Sequence, residues 1–124
     1  MKWTIENVNN EYWLITTSGT FDLEGQRGMV RDVLSRGDWK PGMKTLFDHR
    51  ALDLSASSYT TMSSAAGVHI AHEADIGNSR TAIVVANQVA MGRVRQFMGI
   101  TGVRVSARIW VFYDYDEART WLLE

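Results

Sequence analysis

The sequence contains no cysteine, which excludes disulfide staples, thiol catalysis and thiolate metal sites and is easiest to reconcile with a reducing, cytoplasmic setting. It has a single proline, Pro41, too few for a linker-rich, collagen-like or disordered chain. No run of some 18 apolar residues occurs, and the opening Met1-Lys2-Trp3-Thr4-Ile5-Glu6 has no apolar export segment, so a soluble, non-transmembrane protein is expected. Charge of one sign is also missing: 13 basic residues stand against 14 acidic ones, for a net charge of −1. That balance selects no partner in bulk and argues against nucleic acid. Neither a G-x-S-x-G elbow nor a glycine-rich phosphate loop is present, so the chain is read as non-enzymatic.

What is present is an ordinary globular composition, 45% hydrophobic over 124 residues, enough for one domain spanning residues 1–124. Trp3, Ile5 and Val8, then Asn9-Asn10, then Tyr12 to Thr17 predict a β-hairpin closed by Gly19. A helix is predicted over 22–36, with Asp22 and Glu24 at its start, Leu23, Met29, Val30, Val33 and Leu34 on one face, and Gly37 as its cap. After the Trp39 to Gly42 turn, Lys44 to Asp48 reads as a central strand.

From Asp48 the chain enters a serine-rich loop that reaches Tyr59 and feeds a helix over 60–75, with Met62, Ala66, Ile70 and Ala74 on one side and Gly77-Asn78 as its stop. Arg80 to Ala86 is a nearly unbroken apolar run, as expected of a strand covered on both faces in a parallel sheet. Asn87-Gln88 opens a third long helix, with Ala90, Met91, Val94, Phe97 and Met98 on one face, closed by Gly99 and Gly102. Residues 103–111 alternate apolar with polar as a half-exposed edge strand would. Asp114 and Glu117 then form a capping pair ahead of Ala118, Trp121 and Leu122 in a terminal helix. The order is ββαβαβαβα: an α/β fold with a mixed five-stranded sheet, the opening hairpin antiparallel and strands two to five parallel.

Thr45-Leu46-Phe47-Asp48 with its polar loop and helix, the Ala82 to Ala86 strand, and the ending Trp110-Val111-Phe112-Tyr113-Asp114-Tyr115-Asp116-Glu117-Ala118-Arg119-Thr120-Trp121-Leu122 resemble the SpoIIAA-like (STAS and Sec14-related) group of small bacterial α/β domains. The resemblance covers most of the chain and implies a STAS-type fold. It also implies a partner-binding loop after the central strand, where anti-sigma antagonists of this group carry a phosphorylatable Ser or Thr in a D-S-x-G-type sequence. Here that loop reads Asp53-Leu54-Ser55-Ala56-Ser57-Ser58-Tyr59, without the Ser-Gly pair.

The loop supplies the partner or ligand candidates Asp48, His49, Arg50, Asp53, Ser55, Ser57, Ser58 and Tyr59. Serines just before a helix can take a phosphate that gains from free amides, and the same hydroxyls can serve as caps. Asp48 can anchor a ligand or accept bonds from its own loop. His69 and His72 stand three apart with Glu73 adjacent, a spacing open to a metal, but no third ligand is committed and no metal or other cofactor is assigned. Five arginines and no carboxylate fall between Ile76 and Tyr113, a positive surface if they share a face.

Two functions follow from this reading. The first is a regulatory or protein-interaction module using the loop and the start of the second helix, with the protein partner unidentified and self-association left open. The alternative, implied by the Sec14-related resemblance, is a carrier of a small apolar ligand or lipid, with Met62, Met91, Phe97 and Met98 as pocket candidates.

Overall fold

A computed structural model describes residues 1–124. Strands β1 (Lys2–Val8) and β2 (Tyr12–Thr20) form the hairpin, followed by α1 (Leu23–Leu34), β3 (Thr45–Asp53), α2 (Tyr59–Ala71), the single turn α3 (Glu73–Ile76), β4 (Arg80–Val84), α4 (Gln88–Thr101), β5 (Arg108–Phe112) and α5 (Tyr115–Leu123). The five strands lie side by side in chain order; β1 pairs antiparallel with β2, and every later pair is parallel. This is the mixed sheet expected from the sequence, with the apolar run of β4 inside it and β5 at one edge.

Local chemistry explains the element starts. Asn9 and Asn10 adopt φ of 53° and 58°, a left-handed conformation their residue type tolerates, and so turn the hairpin. Asp22, Ser58, Asn87 and Asp114 each cap a helix by accepting from a backbone N–H of its first turn. Ser58 and Thr61 complete a reciprocal capping box.

Five expected boundaries are corrected. Helix α1 ends at Leu34 and is capped by Ser35, so Arg36 and Gly37 lie in the following turn. The second helix breaks at His72, leaving Ala74 exposed on α3, while Met62 and Ala66 are buried as expected with Ala65 beside them. Gly99 lies inside α4, and Gly102, at φ 40°, ends it. The alternating segment before β5 is not strand: residues 102–104 form a 3₁₀ turn with Val103 fully exposed, and Ser106 is held to Glu73 through its N–H and hydroxyl. Period-two alternation there reflects a turn pinned from outside the sheet.

The fifth correction bears on function. The first half of the predicted loop from His49 to Tyr59 is strand, because β3 keeps pairing with β2 through Asp53, opposite Thr20. Between Thr16/Asp48 and Ser18/Ala51 the register shifts, so His49 and Arg50 together oppose Thr17. Such a bulge resets the alternation of faces, and both His49 and Leu52 come to the same side. Only Leu54–Ser58 remains as loop.

The sheet is covered on both faces. Helix α5 closes one face, packing Ala118 and Leu122 on Tyr12, Leu46, Ala82 and Val84. On the other face α1 packs on β2 through Met29 and Val33 against Trp13 and Ile15, and α4 brings Ala90, Met91 and Val94 to Ile83, Val85 and Val111. Helix α2 lies mainly against α4 and α1 rather than against a strand. The small side chain of Ala65 leaves the space between α2 and the sheet incompletely filled.

Candidate functional site

That space is an apolar cavity of about 120 Å³. Its floor is the helical side of β3 to β5, with Thr45, Phe47, His49 and Leu52 from β3, Thr81 and Ile83 from β4, and Ile109 from β5. Its walls come from α1, α2 and α4, through Gln26, Met29, Met62, Ala65, His69, Val94 and Phe97. Seventeen of the 22 lining residues are hydrophobic, and the polar remainder is Gln26, Thr45, His49, His69 and Thr81.

Most of these polar groups have partners within the protein. Thr45 and Thr81 join hydroxyls at 3.1 Å across β3 and β4, and Ser79 extends the chain at 3.2 Å, so the floor hydroxyls satisfy one another. The bulge lets Thr17 Oγ1 meet His49 Nδ1 at 2.6 Å. Burial pushes the pKa of His49 down to about 4, against a weaker upward pull from the Asp48 charge, and the ring is neutral. Burial lowers the pKa of His69 as well, opposed in part by Glu73. Gln26 donates through Nε2 to the Ala65 carbonyl oxygen at 3.2 Å, tying α1 to α2. Five buried side-chain atoms are without a partner, Gln26 Oε1 and His69 Nε2 on lining residues and Glu73 Oε2, Arg80 Nε and Arg93 Nε away from the cavity.

The sequence-derived residues divide between this cavity and other places. Met62 and Phe97 line the cavity; Met91 and Met98 pack in the core beside it. His49 faces the cavity, whereas Asp48 and Arg50 turn to the α5 side and engage each other, Arg50 Nε and Nη2 donating to the carboxylate at 2.9 and 2.8 Å. Those bonds hold the Asp48 carboxyl below its ordinary pKa. The Arg50 guanidinium also lies 5.4 Å from the centre of the Tyr115 ring, whose hydroxyl is 3.1 Å from that of Tyr12. Asp53 accepts from the Ser55 N–H, Ser57 donates to the Leu54 carbonyl, and Ser58 caps α2. The three serines therefore do local backbone work, while Tyr59 is exposed at the start of α2.

His69 and His72 diverge. His69 packs on Phe97 with ring centres 6.0 Å apart, and His72 faces Asp75 at 3.7 Å. No group of three His, Asp or Glu side chains is placed to hold a metal ion. The arginines do not share a face: Arg80 stacks over Trp121 on the α5 side, while Arg93 lies on α4 across the sheet and donates to Gln96.

Gln26, Thr45 and Thr81 were not singled out in the sequence. A signal was available for Gln26, which stands three residues before Met29 and seven before Val33, a polar residue on the stripe α1 buries. No comparable signal marks the threonines, because β-branched residues are ordinary in strands.

No protein-family model matches this sequence, and no curated protein does. Among solved structures, the chain is similar to the crystal structure of an uncharacterized protein of the DUF3478 family, with a SpoIIAA-like fold, from Shewanella loihica PV-4. The TM-score is 0.64 at 20% sequence identity, over 98% of this chain and 92% of the other. The SpoIIAA-like fold expected from the strand and terminal-helix motifs is thus shown. No helix of the chain is long and apolar enough to cross a membrane.

Proposed function

We propose that this SpoIIAA-like chain is a non-enzymatic binding domain that takes one small, largely apolar molecule into the cavity between its sheet and the α1, α2 and α4 layer. The observation that carries the reading is the cavity itself, an apolar space whose lining is hydrophobic but for Gln26, Thr45, His49, His69 and Thr81. A fully packed core leaves no such void, whereas ligand sites combine apolar lining with a few polar groups. The volume suits a single ring or a short chain better than the paired acyl chains of a membrane lipid. The hydroxyl and imidazole of Thr17 and His49 have no carboxylate behind the ring, since Asp48 is held by Arg50 on the other face, which supports recognition without bond-making. Native mass spectrometry of protein purified gently from its own host is expected to show one added small mass. That mass should be absent from a folded Ala65→Phe variant, whose ring fills the space. A bare mass for the wild-type chain would count against the reading.

A second reading, a protein-partner surface at the C-terminal ends of the parallel strands, is favoured by a different observation. Tyr59, Val89 and Tyr113 are 59%, 52% and 51% exposed, and they follow β3, β4 and β5 respectively along one edge of the sheet. Tyr59 directly follows the Ser55 to Ser58 loop, and tyrosine is typical of interface centres. Tyr59→Ser with Tyr113→Ser should abolish co-purification of a partner that the wild-type chain retains. Equal recovery by both proteins would contradict the surface.

A further inference from the structure

The sheet face opposite the cavity is covered by a single helix, α5, and its margin along the edge strand β5 is left open. Side chains alternate along β5: Ile109 borders the cavity, so Arg108, Trp110 and Phe112 project to the α5 side. Trp110 is 53% exposed there. Helix α5 starts just after β5 ends and runs back along the strands, because Trp121 reaches both the Phe112 ring, at 5.7 Å, and the guanidinium of Arg80 at the start of β4, at 4.5 Å. Trp121 thus lies on the flank of α5 that faces β5. Glu117, one turn earlier in the helix, shares that flank.

Charge is sorted along this margin. Where β4 and β5 begin, Arg80 stands in register beside Arg108, both on the α5 side. Arg80 Nη1 donates to the main-chain oxygen of Glu124, but no side-chain carboxylate comes within ion-pair distance of either arginine. Toward the other end Glu117 is exposed and equally without an ion pair. The rings of Trp110, Phe112 and Trp121 lie between. A surface with a basic end, an aromatic middle and an acidic end fits its own copy turned about a twofold axis through the middle, which sets each basic end on the other copy's acidic end. Twofold interfaces require this self-complementarity, and an aromatic centre with a charged rim is their usual anatomy. An acidic peptide or an anionic membrane would answer the arginines but be repelled by Glu117.

We propose that two copies of this chain associate through the β5 margin of their α5-side faces, about a twofold axis, with Trp110 at the centre and Arg108 of each copy facing the partner's Glu117. This surface lies across the sheet from the cavity and is independent of what the cavity holds. Sedimentation velocity of the full chain over a concentration series is expected to show a reversible monomer–dimer equilibrium. Trp110→Ser should weaken it at least about tenfold, as loss of a central tryptophan does. Arg108→Glu and Glu117→Arg each set like charges opposite one another at both ends of the interface, and each alone should also weaken it at least about tenfold. An equimolar mixture of the Arg108→Glu and Glu117→Arg chains restores opposite charges at both ends, so a mixed dimer of near wild-type affinity should form, a recovery that misfolded variants could not produce. A wild-type chain that stays monomeric up to about 1 mM overturns the proposal. So does a dimer that survives all three substitutions, or a mixture no more associated than its two components.

Discussion

Thr17 and His49 meet at 2.6 Å because two residues of β3 oppose one residue of β2, and this contact faces a neutral imidazole into the cavity. The folded pKa of His49 is pushed down to about 4 from an ordinary 6.5, so between those values the unfolded chain binds a proton that the folded chain refuses. Stability should therefore fall as pH drops from 6.5 toward 4 and stay reduced below that, by about 3 kcal/mol in all for this group. His69 acts in the same direction. Asp48, Asp53 and Glu73, with lowered pKa values, lose their contributions only below the ordinary carboxylate range, so the window from pH 6.5 to 4.5 isolates the histidines. Urea midpoints for the wild type should slope across that window, and those of His49→Gln should slope much less.

Leu122 and Trp121 exchange the roles their sizes suggest. Leu122 is fully buried in the α5 core, whereas Trp121 is half-buried at the rim, 5.7 Å from the Phe112 ring and capped by the Arg80 guanidinium at 4.5 Å. Leu122→Ala should cost about 3 kcal/mol, and Trp121→Ala about 2, with part of the latter recovered as solvent replaces the exposed face. Chemical denaturation of the two variants side by side checks the order. A larger loss at Trp121 would mean that the ring, not the leucine, anchors the helix.

Asp48, Arg50 and Tyr115 form the polar join between β3 and α5. The Arg50 side chain is 49% exposed, so solvent screens the pair, and Arg50→Met should cost only about 1 kcal/mol. Tyr115→Phe removes the bond to the Tyr12 hydroxyl for a similar amount. Because Arg50 also covers the Tyr115 ring, which phenylalanine keeps, the cycle that reads this contact pairs Arg50→Met with Tyr115→Leu, and there the double variant should cost less than the sum. Strict additivity in a double-mutant cycle would show that the ring contact contributes nothing.

Gly77 stops α3 at φ 69°, and a Cβ there would approach Gly42 N and Pro41 Cβ at 3.0 Å each. Gly42 N in turn donates to the Ile76 carbonyl. Gly77→Ala therefore strains the backbone and crowds the 41–42 turn together, and should lower stability by about 1–3 kcal/mol. A thermal midpoint equal to that of the wild type would contradict this.

Where the sequence was informative, the reason was local. Asp22, Asn87 and Asp114 cap helices through their own side chains, and the apolar run of β4 has the composition of a strand covered on both faces, so each could be read from a short window. The misreadings share a non-local cause. His49 to Asp53 looks like loop because a bulge against Thr17 breaks the alternation, and the partner strand that keeps those residues extended lies some thirty positions away. Residues 103–106 alternate like a strand but are fastened by Glu73 from another element. The cavity was the least visible feature. It depends on Ala65 being too small to reach the sheet and on Gln26 finding the Ala65 carbonyl, and neither relationship has a signature in residue spacing.

The measurement that tests the central claim most directly is diffraction from crystals of the full chain pressurised with xenon, which enters apolar cavities without needing any polar contact. The account predicts a xenon site bounded by His49, Met62, Ala65 and Phe97, with the surrounding backbone unmoved. A structure in which α2 has settled onto β3 and β4 and no xenon appears between them would contradict it.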